Sequence, residues 1–134
     1  MLGENGAASR KSDASIGQGA TVLVVDNDAA VRHLVTTALE GRGHKVRTAT
    51  NGREALDKVR LDPPDAILLD LMTPTTDSWS FLATQRMSSA EGRAPVLVMS
   101  AVGGRYLARE LGARGFLAKP FDLEALETAL TSVL

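Results

Sequence analysis

The feature that most constrains the fold is a short apolar segment, Ala66–Leu69, that ends directly in the carboxylate of Asp70. A continuous apolar run of this length is typical of a strand buried on both faces, as in a parallel sheet covered by helices. Functional groups in such sheets collect just beyond the carboxyl ends of the strands. Because an ionised carboxylate in an apolar environment is costly without a partner, Asp70 predicts further polar groups at the same edge.

The same pattern, an apolar run that ends in a polar residue, recurs three more times along the chain. If the four strands lie parallel, their terminal side chains share one edge of one sheet, and this convergence is the central prediction from the sequence. The three further runs are Val22–Val25 before Asp26, Val96–Met99 before Ser100, and Gly115–Ala118 before Lys119.

Between these runs the apolar residues recur with helical spacing, so strands and helices alternate five times along the chain. Short connections and right-handed crossovers then predict a single α/β domain with helices on both faces of a parallel sheet. We expect a doubly wound, flavodoxin-like sheet of five strands in the order 2-1-3-4-5, with Val46–Ala49 as its edge strand. This order places Asp26 and Asp70 on adjacent strands, at the crevice where ligands bind.

Several local features of the helices can be predicted. The first helix presents one apolar stripe of five residues, and the third helix extends from about residue 78 to residue 87. The fourth helix must fit between residues 103 and 111, with three apolar residues facing inward. Asp28 is either a cap of the first helix or an additional acid of the site. The stripe comprises Val31, Leu34, Val35, Ala38 and Leu39, and the inward residues of the fourth helix are Leu107, Ala108 and Leu111.

The length, net charge and cysteine content of the chain exclude several classes of function. The chain has 134 residues, a formal net charge of −1 and no cysteine, so neither a disulfide framework nor a general attraction to nucleic acid or membranes is expected. No segment has the length of a membrane span or the apolar core of a secretory signal, which makes the cytoplasm the default location. Residues 1–19 read as a disordered leader and residues 20–134 as the folded domain.

The predicted edge can support phosphoryl chemistry. Carboxylates that crowd one edge repel each other, and a divalent cation relieves this; oxygen ligands without His or Cys favour Mg²⁺. Asp26, Asp70 and the backbone carbonyl of Met72 are candidate ligands. Asp70 can attack a phosphoryl group to form an aspartyl phosphate, with Lys119 neutralising charge and the hydroxyl of Ser100 donating to a phosphoryl oxygen.

At this point the sequence resembles the receiver domains of two-component response regulators, over residues 21–134. The segments that carry the resemblance are Val22–Asp26, Asn51–Leu56, Pro64–Asp70, Pro74 with Asp77, Ser100–Ala101, Gly112–Ala113 and Lys119–Phe121. The resemblance implies that Asp70 is the phosphoacceptor, that Asp26 belongs to the acidic Mg²⁺ site and that Lys119 contacts the phosphoryl group. It also implies that Ser100 is the switch hydroxyl and Phe116 the switch aromatic, although Phe116 can equally be a core residue.

The sequence departs from the family pattern in three places. Asn27 stands where the family has a second acid, which predicts weak Mg²⁺ binding and slow phosphorylation. Thr73 and Ser78 replace a usual Met and Gly, so a turn that requires positive φ at residue 78 would be strained. The interval from Ser100 to Lys119 is short by about one helical turn, and this loss falls on the fourth helix.

Three functions follow as alternatives. The first is a single-domain signalling receiver that accepts phosphate from a histidine kinase or phosphotransfer protein and acts through protein contacts, including a homodimer formed by helix four, strand five and helix five. The second is a pseudo-receiver, a binding module without regulated phosphorylation, which Asn27 favours. The third is a haloacid-dehalogenase-like phosphatase that would use Asp26, Asp28, Ser100 and Lys119 and leave Asp70 without a role. Of these three, the signalling receiver is not an enzyme.

Overall fold

A computed structural model describes residues 19–71, 76–87, 94–100 and 104–134. Predictions that concern Met72, Thr73, Pro74, Ala101 and the leader upstream of Gly19 lie outside these residues. The described elements follow one another in strict strand–helix alternation. They are β1 (Thr21–Val25), α1 (Ala29–Gly41), β2 (Lys45–Ala49), α2 (Gly52–Leu61), β3 (Ala66–Asp70), α3 (Thr76–Met87), β4 (Val96–Ser100), α4 (Arg105–Glu110), β5 (Gly115–Ala118) and α5 (Leu123–Val133).

The five strands form one parallel sheet in the order β2-β1-β3-β4-β5, which confirms the predicted doubly wound fold. β3 and β4 are buried along their whole length, as expected for central strands covered on both faces. Most side chains of β2 are half-buried, with little alternation between buried and exposed positions, as expected for an edge strand. The register pairs Val25 with Leu69, so β1 and β3 end side by side at the same edge of the sheet.

The helices divide between the two faces of the sheet and bury one apolar cluster on each. One face is covered by α1 and α5, and the other by α2, α3 and α4. Burial on this scale is the main stabilising contribution to such a domain. The first cluster includes Val35, Leu39, Leu126 and Leu130, and the second includes Ala55, Val59, Phe81, Leu82 and Ala108.

Side-chain caps begin three of the helices. Asp28 accepts from the backbone N–H groups of Ala30 and Val31 at the start of α1, so it is a cap. Asn51 accepts from the N–H of Glu54, and Glu54 reaches back to the N–H of Thr50. At the start of α5, Asp122 accepts from the N–H of Ala125 at 2.8 Å.

Three local predictions need correction. α3 begins at Thr76, two residues earlier than expected, so Ser78 lies within a helix and the predicted strain of a turn does not arise. Leu107 is 48% exposed although it was expected to face inward, because α4 has six residues and buries only Ala108. Leu34, in the predicted apolar stripe of α1, is 69% exposed.

Candidate functional site

Asp26 and Asp70 lie side by side at the carboxyl ends of β1 and β3. Asp26 directly follows β1, and its backbone N–H donates to the carbonyl of Ala49 on β2. Asp70 is the last residue of β3. Asp26 is 2% exposed and Asp70 is 5% exposed. The two carboxylates therefore lie buried beneath the protein surface, where ionised groups need compensating charge.

Lys119 supplies that charge to both acids. Its ammonium nitrogen Nζ lies 3.3 Å from Oδ2 of Asp26 and 3.2 Å from Oδ1 of Asp70. The backbone of β5 sets this position, since the N–H of Lys119 donates to the carbonyl of Ser100 at the end of β4. One cation thus bridges two carboxylates, and the three side chains together keep a net negative charge at neutral pH when both acids are ionised.

The electrostatic balance at Asp26 reflects its burial. Desolvation is the largest influence and raises the pKa of Asp26 above its ordinary value. The N–H of Asp28, which donates to Oδ1 of Asp26 at 2.9 Å, opposes this, while the charge of Asp70 raises the pKa further and Lys119 lowers it. The net upward shift means that the surroundings under-compensate the Asp26 carboxylate, which favours the approach of a further cation.

Asp26 is not followed directly by the second acid of the family pattern. Asn27 is exposed and carries a neutral amide. Asp28, which could have supplied a replacement acid, uses Oδ1 to cap α1 instead. Within the described part of the chain, no cluster of three or more His, Cys, Asp or Glu residues is placed to hold a metal ion.

The donor set nevertheless fits Mg²⁺, which in proteins is commonly held by one or two carboxylates and several waters. Asp26 and Asp70 offer two buried carboxylates, and Asn27 offers an amide oxygen directly after Asp26 in the chain. The predicted fourth ligand, the carbonyl of Met72, lies outside the described residues. A site with two carboxylates instead of three is expected to bind the ion weakly.

The remaining predicted site residues lie on the two neighbouring strands. Ser100 is the last residue of β4 and is buried, with 4% exposure, at the same edge of the sheet as Asp70. Phe116 lies on β5 opposite Val98 and is half-buried, with its ring packed partly against the core. The guanidinium carbon of Arg105 on α4 lies 4.5 Å from the centroid of the Phe116 ring.

Two residues that contact the site were not predicted from the sequence. The hydroxyl of Ser78 is buried and donates to the backbone carbonyl of Asp70 at 3.0 Å, which ties α3 to the end of β3. Nη1 of Arg32 on α1 donates to the backbone carbonyl of Asp26 at 2.8 Å. The replacement of a family glycine by Ser78 was a visible signal, but its contact depends on how α3 packs; nothing in the sequence around Arg32 indicated its contact.

A groove of about 590 Å³ opens beside the site between α1 and the start of α5. Its walls are mainly apolar, and Lys119 lies at one end. The exposed Leu34 and Leu123 belong to its rim. The groove is therefore an apolar surface next to the carboxylates. Its lining is Val31, Leu34, Val35, Ala38, Lys119, Pro120, Phe121, Asp122, Leu123 and Leu126.

This geometry and the comparisons agree on a family. Residues 22–131 match the family described as Response regulator receiver domain, and the chain belongs to that family of two-component signalling proteins. The chain is thus a receiver domain and not a classical enzyme, which removes the phosphatase alternative. None of the helices in the described ranges is long and apolar enough to cross a membrane.

Similar proteins are found among both sequences and structures. The chain is 38% identical over 116 residues to Response regulator MprA of Mycolicibacterium vanbaalenii and 35% identical to Probable transcriptional regulator ycf27 of Porphyra purpurea. These alignments cover 84% of this chain but 49% and 46% of the relatives, so the chain spans about half the length of the curated relatives it matches.

Two solved structures with the same fold match this chain over nearly their whole length. The chemotaxis protein CheY4 of Vibrio cholerae superposes with a TM-score of 0.78 and 34% identity, over 87% of this chain and 99% of that chain. A putative response regulator from Chloroflexus aurantiacus superposes with a TM-score of 0.75 and 30% identity, over 86% of this chain and 98% of that chain. The likeness in structure thus extends over the receiver domain as a unit.

Proposed function

We propose that this receiver accepts a phosphoryl group on Asp70 from a histidine kinase or phosphotransfer protein and passes the signal on through protein contacts. The observation that carries this proposal is the position of the Lys119 ammonium, 3.2 Å from Asp70 and 3.3 Å from Asp26. A nucleophilic carboxylate, a second acid and a cation then lie in contact at one edge of the sheet. Receiver domains typically use Mg²⁺ in this reaction.

The chemical step follows from these groups. An oxygen of Asp70 attacks the phosphorus in line, the bond from phosphorus to the donor's nitrogen or oxygen breaks, and the donor leaves with that electron pair. Lys119 neutralises charge on the transferred oxygens. Asp26, Asp70 and the amide oxygen of Asn27 would hold Mg²⁺, whose charge would offset that of the phosphoryl group.

Ser100 and Phe116 are the residues we propose for the response. Ser100 ends the strand next to β3, so its hydroxyl can donate to a phosphoryl oxygen on Asp70. Phe116 is only half-buried and lies on the strand beside β4, so its ring has room to change position when Ser100 moves. Such a pair can act as a two-state element that phosphorylation biases.

The donor protein must bring its phosphoryl group to the edge of the sheet that carries Asp70. The apolar groove between α1 and α5 ends at Lys119, so a partner seated in it would reach that edge. We propose the phosphodonor as its occupant, with the exposed Leu34 as an anchor point. Burial of such an apolar rim is a common source of affinity at protein interfaces.

A second candidate is a pseudo-receiver that binds partners without regulated phosphorylation. The neutral amide of Asn27 and the engagement of Asp28 as a helix cap favour it, since both weaken the metal site. The bridged arrangement of Asp70 and Lys119 favours the first function instead, because a module without phosphoryl chemistry has no need of it.

Phosphorylation can be measured directly. The chain is incubated with acetyl phosphate and Mg²⁺ and then examined by intact-mass spectrometry and on Phos-tag gels. We expect the mass gain of one phosphoryl group, which is lost in Asp70→Ala and kept in Asp57→Ala, an exposed acid on α2 that serves as control. A chain that stays unmodified under these conditions would leave the pseudo-receiver as the better description.

A further inference from the structure

A cavity of about 210 Å³, here called the α3–β4 cavity, lies at the edge of the sheet opposite to the carboxylate site. It is bounded by the last turn of α3, by Val96 at the start of β4, and by Gly112 and Arg114 in the connection from α4 to β5. Ser100 ends the same strand β4 at the other edge. The proposed phosphorylation chemistry therefore does not use this cavity.

The α3–β4 cavity is lined by a buried amide that has no partner. Gln85 on α3 is 4% exposed, and among the described residues its Nε2 is one of two buried side-chain polar atoms without a hydrogen bond. Phe81 and Leu82, on the same face of α3, are each 1% exposed, so Gln85 interrupts an apolar surface. A buried donor without a partner costs stability, so its presence beside a cavity indicates an acceptor from outside the chain.

Two guanidinium groups lie at the mouth of the cavity. Arg86 and Arg114 both line it and are exposed, whereas Gln85 is buried. Nη1 of Arg86 donates to the carbonyl of Glu110 at 2.7 Å, which holds this side chain between α3 and the end of α4. A Cβ atom at Gly112 would lie 3.2 Å from the Arg86 side chain, so glycine at this position leaves room for it. The position of Arg86 at the mouth is therefore built into the fold.

The rest of the described lining selects the chemistry of a ligand. It is apolar, with Leu82, Pro95 and Val96 among its members, and it contains no acid. Guanidinium groups pair with carboxylates in a two-pronged geometry, and the apolar wall favours a ligand with a hydrocarbon body over inorganic phosphate. The volume is below the range of about 300–1,000 Å³ that is common for drug-sized ligands, so the ligand has only a few carbon atoms.

We propose that the α3–β4 cavity binds a small organic carboxylate. Its carboxylate pairs with Arg86 and Arg114 at the mouth, and a second, neutral oxygen accepts a hydrogen bond from Nε2 of Gln85. A neutral oxygen suits this position because a second charge beside a buried amide would lack a counter-charge. The last side-chain torsion of glutamine is broad, so the amide can turn toward the ligand without a shift of α3.

The test uses the full chain without a phosphodonor, so its outcome does not depend on phosphorylation of Asp70. The probe is levulinate, which carries a carboxylate, a ketone oxygen and a short hydrocarbon body, and binding is followed by NMR on ¹⁵N-labelled protein. We expect saturable shifts of the Gln85 side-chain amide and of the backbone amides of Val96 and Gly112. Absence of saturable shifts would overturn the proposal.

Two analogues separate the contributions of the two oxygen groups. Valerate lacks the ketone oxygen and levulinamide lacks the charge, and we expect each to bind at least about tenfold more weakly than levulinate, because a buried donor or a guanidinium group is then left without its partner. Equal binding of either analogue would contradict the proposed contacts.

Matched variants of the two unpartnered buried groups locate the ligand. Gln85→Met keeps an unbranched side chain but removes the donor, and we expect levulinate to bind at least about tenfold more weakly while the urea midpoint does not fall. Thr36→Val removes the other such group, Oγ1 on α1 at the opposite face of the sheet, and should leave the affinity unchanged. Unchanged binding in Gln85→Met would refute the site.

The mouth of the cavity is tested separately, which also covers a failure of Gln85→Met to fold by circular dichroism. Arg114→Gln should weaken levulinate binding at least about tenfold, since a charge-assisted contact is lost, whereas Arg60→Gln at an exposed position of α2 should not. Equal losses in both variants would show general attraction to anions. Displacement of levulinate by inorganic phosphate at equal concentration would likewise contradict an organic carboxylate as the preferred ligand.

Discussion

Two charged regions of this receiver are built in opposite ways. At the edge of the sheet, Asp26 and Asp70 are almost fully buried and share the ammonium of Lys119. On the α4–β5 face, Arg105 and Arg109 are exposed and have no ion-pair partner among the described residues. Burial makes an unpaired charge costly, whereas solvent makes it cheap, so the first region must be internally paired and the second can remain open to a partner.

The largest expected effect comes from removing the shared cation. Lys119→Ala takes away the charge that faces both carboxylates, and we expect phosphorylation by acetyl phosphate to slow by about a hundredfold, since preorganised charge is a major part of phosphoryl-transfer catalysis. The measurement is the rate of the mass gain. Lys45→Ala, at an exposed position on β2, is the control, and an unchanged rate in Lys119→Ala would show that the bridge is only structural.

Restoring an acid beside the site should sharpen the difference between the regions. Asn27→Asp adds a charged oxygen ligand next to Asp26, and we expect the affinity for Mg²⁺ to rise at least about tenfold. Isothermal titration calorimetry measures it directly. Thr131→Asp adds the same charge at an exposed position of α5 and should leave the affinity as it is; a similar rise in both would indicate a long-range effect of net charge.

Neutralising one buried acid should stabilise the metal-free protein. Because burial raises the folded-state pKa of Asp26 above its ordinary value of 3.8, its ionisation disfavours the folded state at neutral pH. We expect Asp26→Asn to raise the free energy of unfolding at pH 7 in buffer without Mg²⁺, because the variant carries no charge that burial penalises.

The pH dependence gives the sign of this effect. The advantage of Asp26→Asn should shrink as pH falls through the raised folded-state pKa and vanish below the unfolded value, where Asp26 is protonated in both states. Urea unfolding at a series of pH values measures it, with Asp57→Asn on the surface of α2 as the control. A less stable Asp26→Asn at neutral pH would mean that the ion pair with Lys119 outweighs the cost of burial.

The smallest expected effect comes from a substitution on the α4–β5 face. Arg105→Gln removes the guanidinium group from the Phe116 ring, and an exposed cation–π contact contributes about 0.5–1 kcal/mol. We expect a loss of stability no larger than this in urea unfolding. Arg109→Gln, in the same helix and without a ring contact, should cost less, and equal costs would show that the ring contact contributes nothing.

Much of the fold was predictable because it depends on local patterns. The apolar runs before Asp26, Asp70 and Ser100 identify strands buried on both faces. Short connections and right-handed crossovers leave few ways to order these strands in a sheet. The caps at Asp28 and Asp122 are equally local, since each carboxylate accepts from backbone groups two or three residues further on.

The helices were predicted less well, for a physical reason. Helical spacing shows that one stripe is apolar, but not how much of that stripe the neighbouring helices cover. Leu34 and Leu107 belong to such stripes, yet both are substantially exposed, because α5 leaves a groove beside α1 and α4 is too short to bury more than Ala108.

The sequence alone determined which polar groups end the strands, and the parallel direction of the strands then required Asp26, Asp70, Ser100 and Lys119 to meet at one edge. Only the tertiary structure decided the rest: that Lys119 reaches both acids, that Ser78 bonds to the carbonyl of Asp70, and that three arginines share one cleft. The contacts of Lys119 and Ser78 join elements distant in the chain. Their distances depend on how helices cross the sheet, which no local pattern specifies.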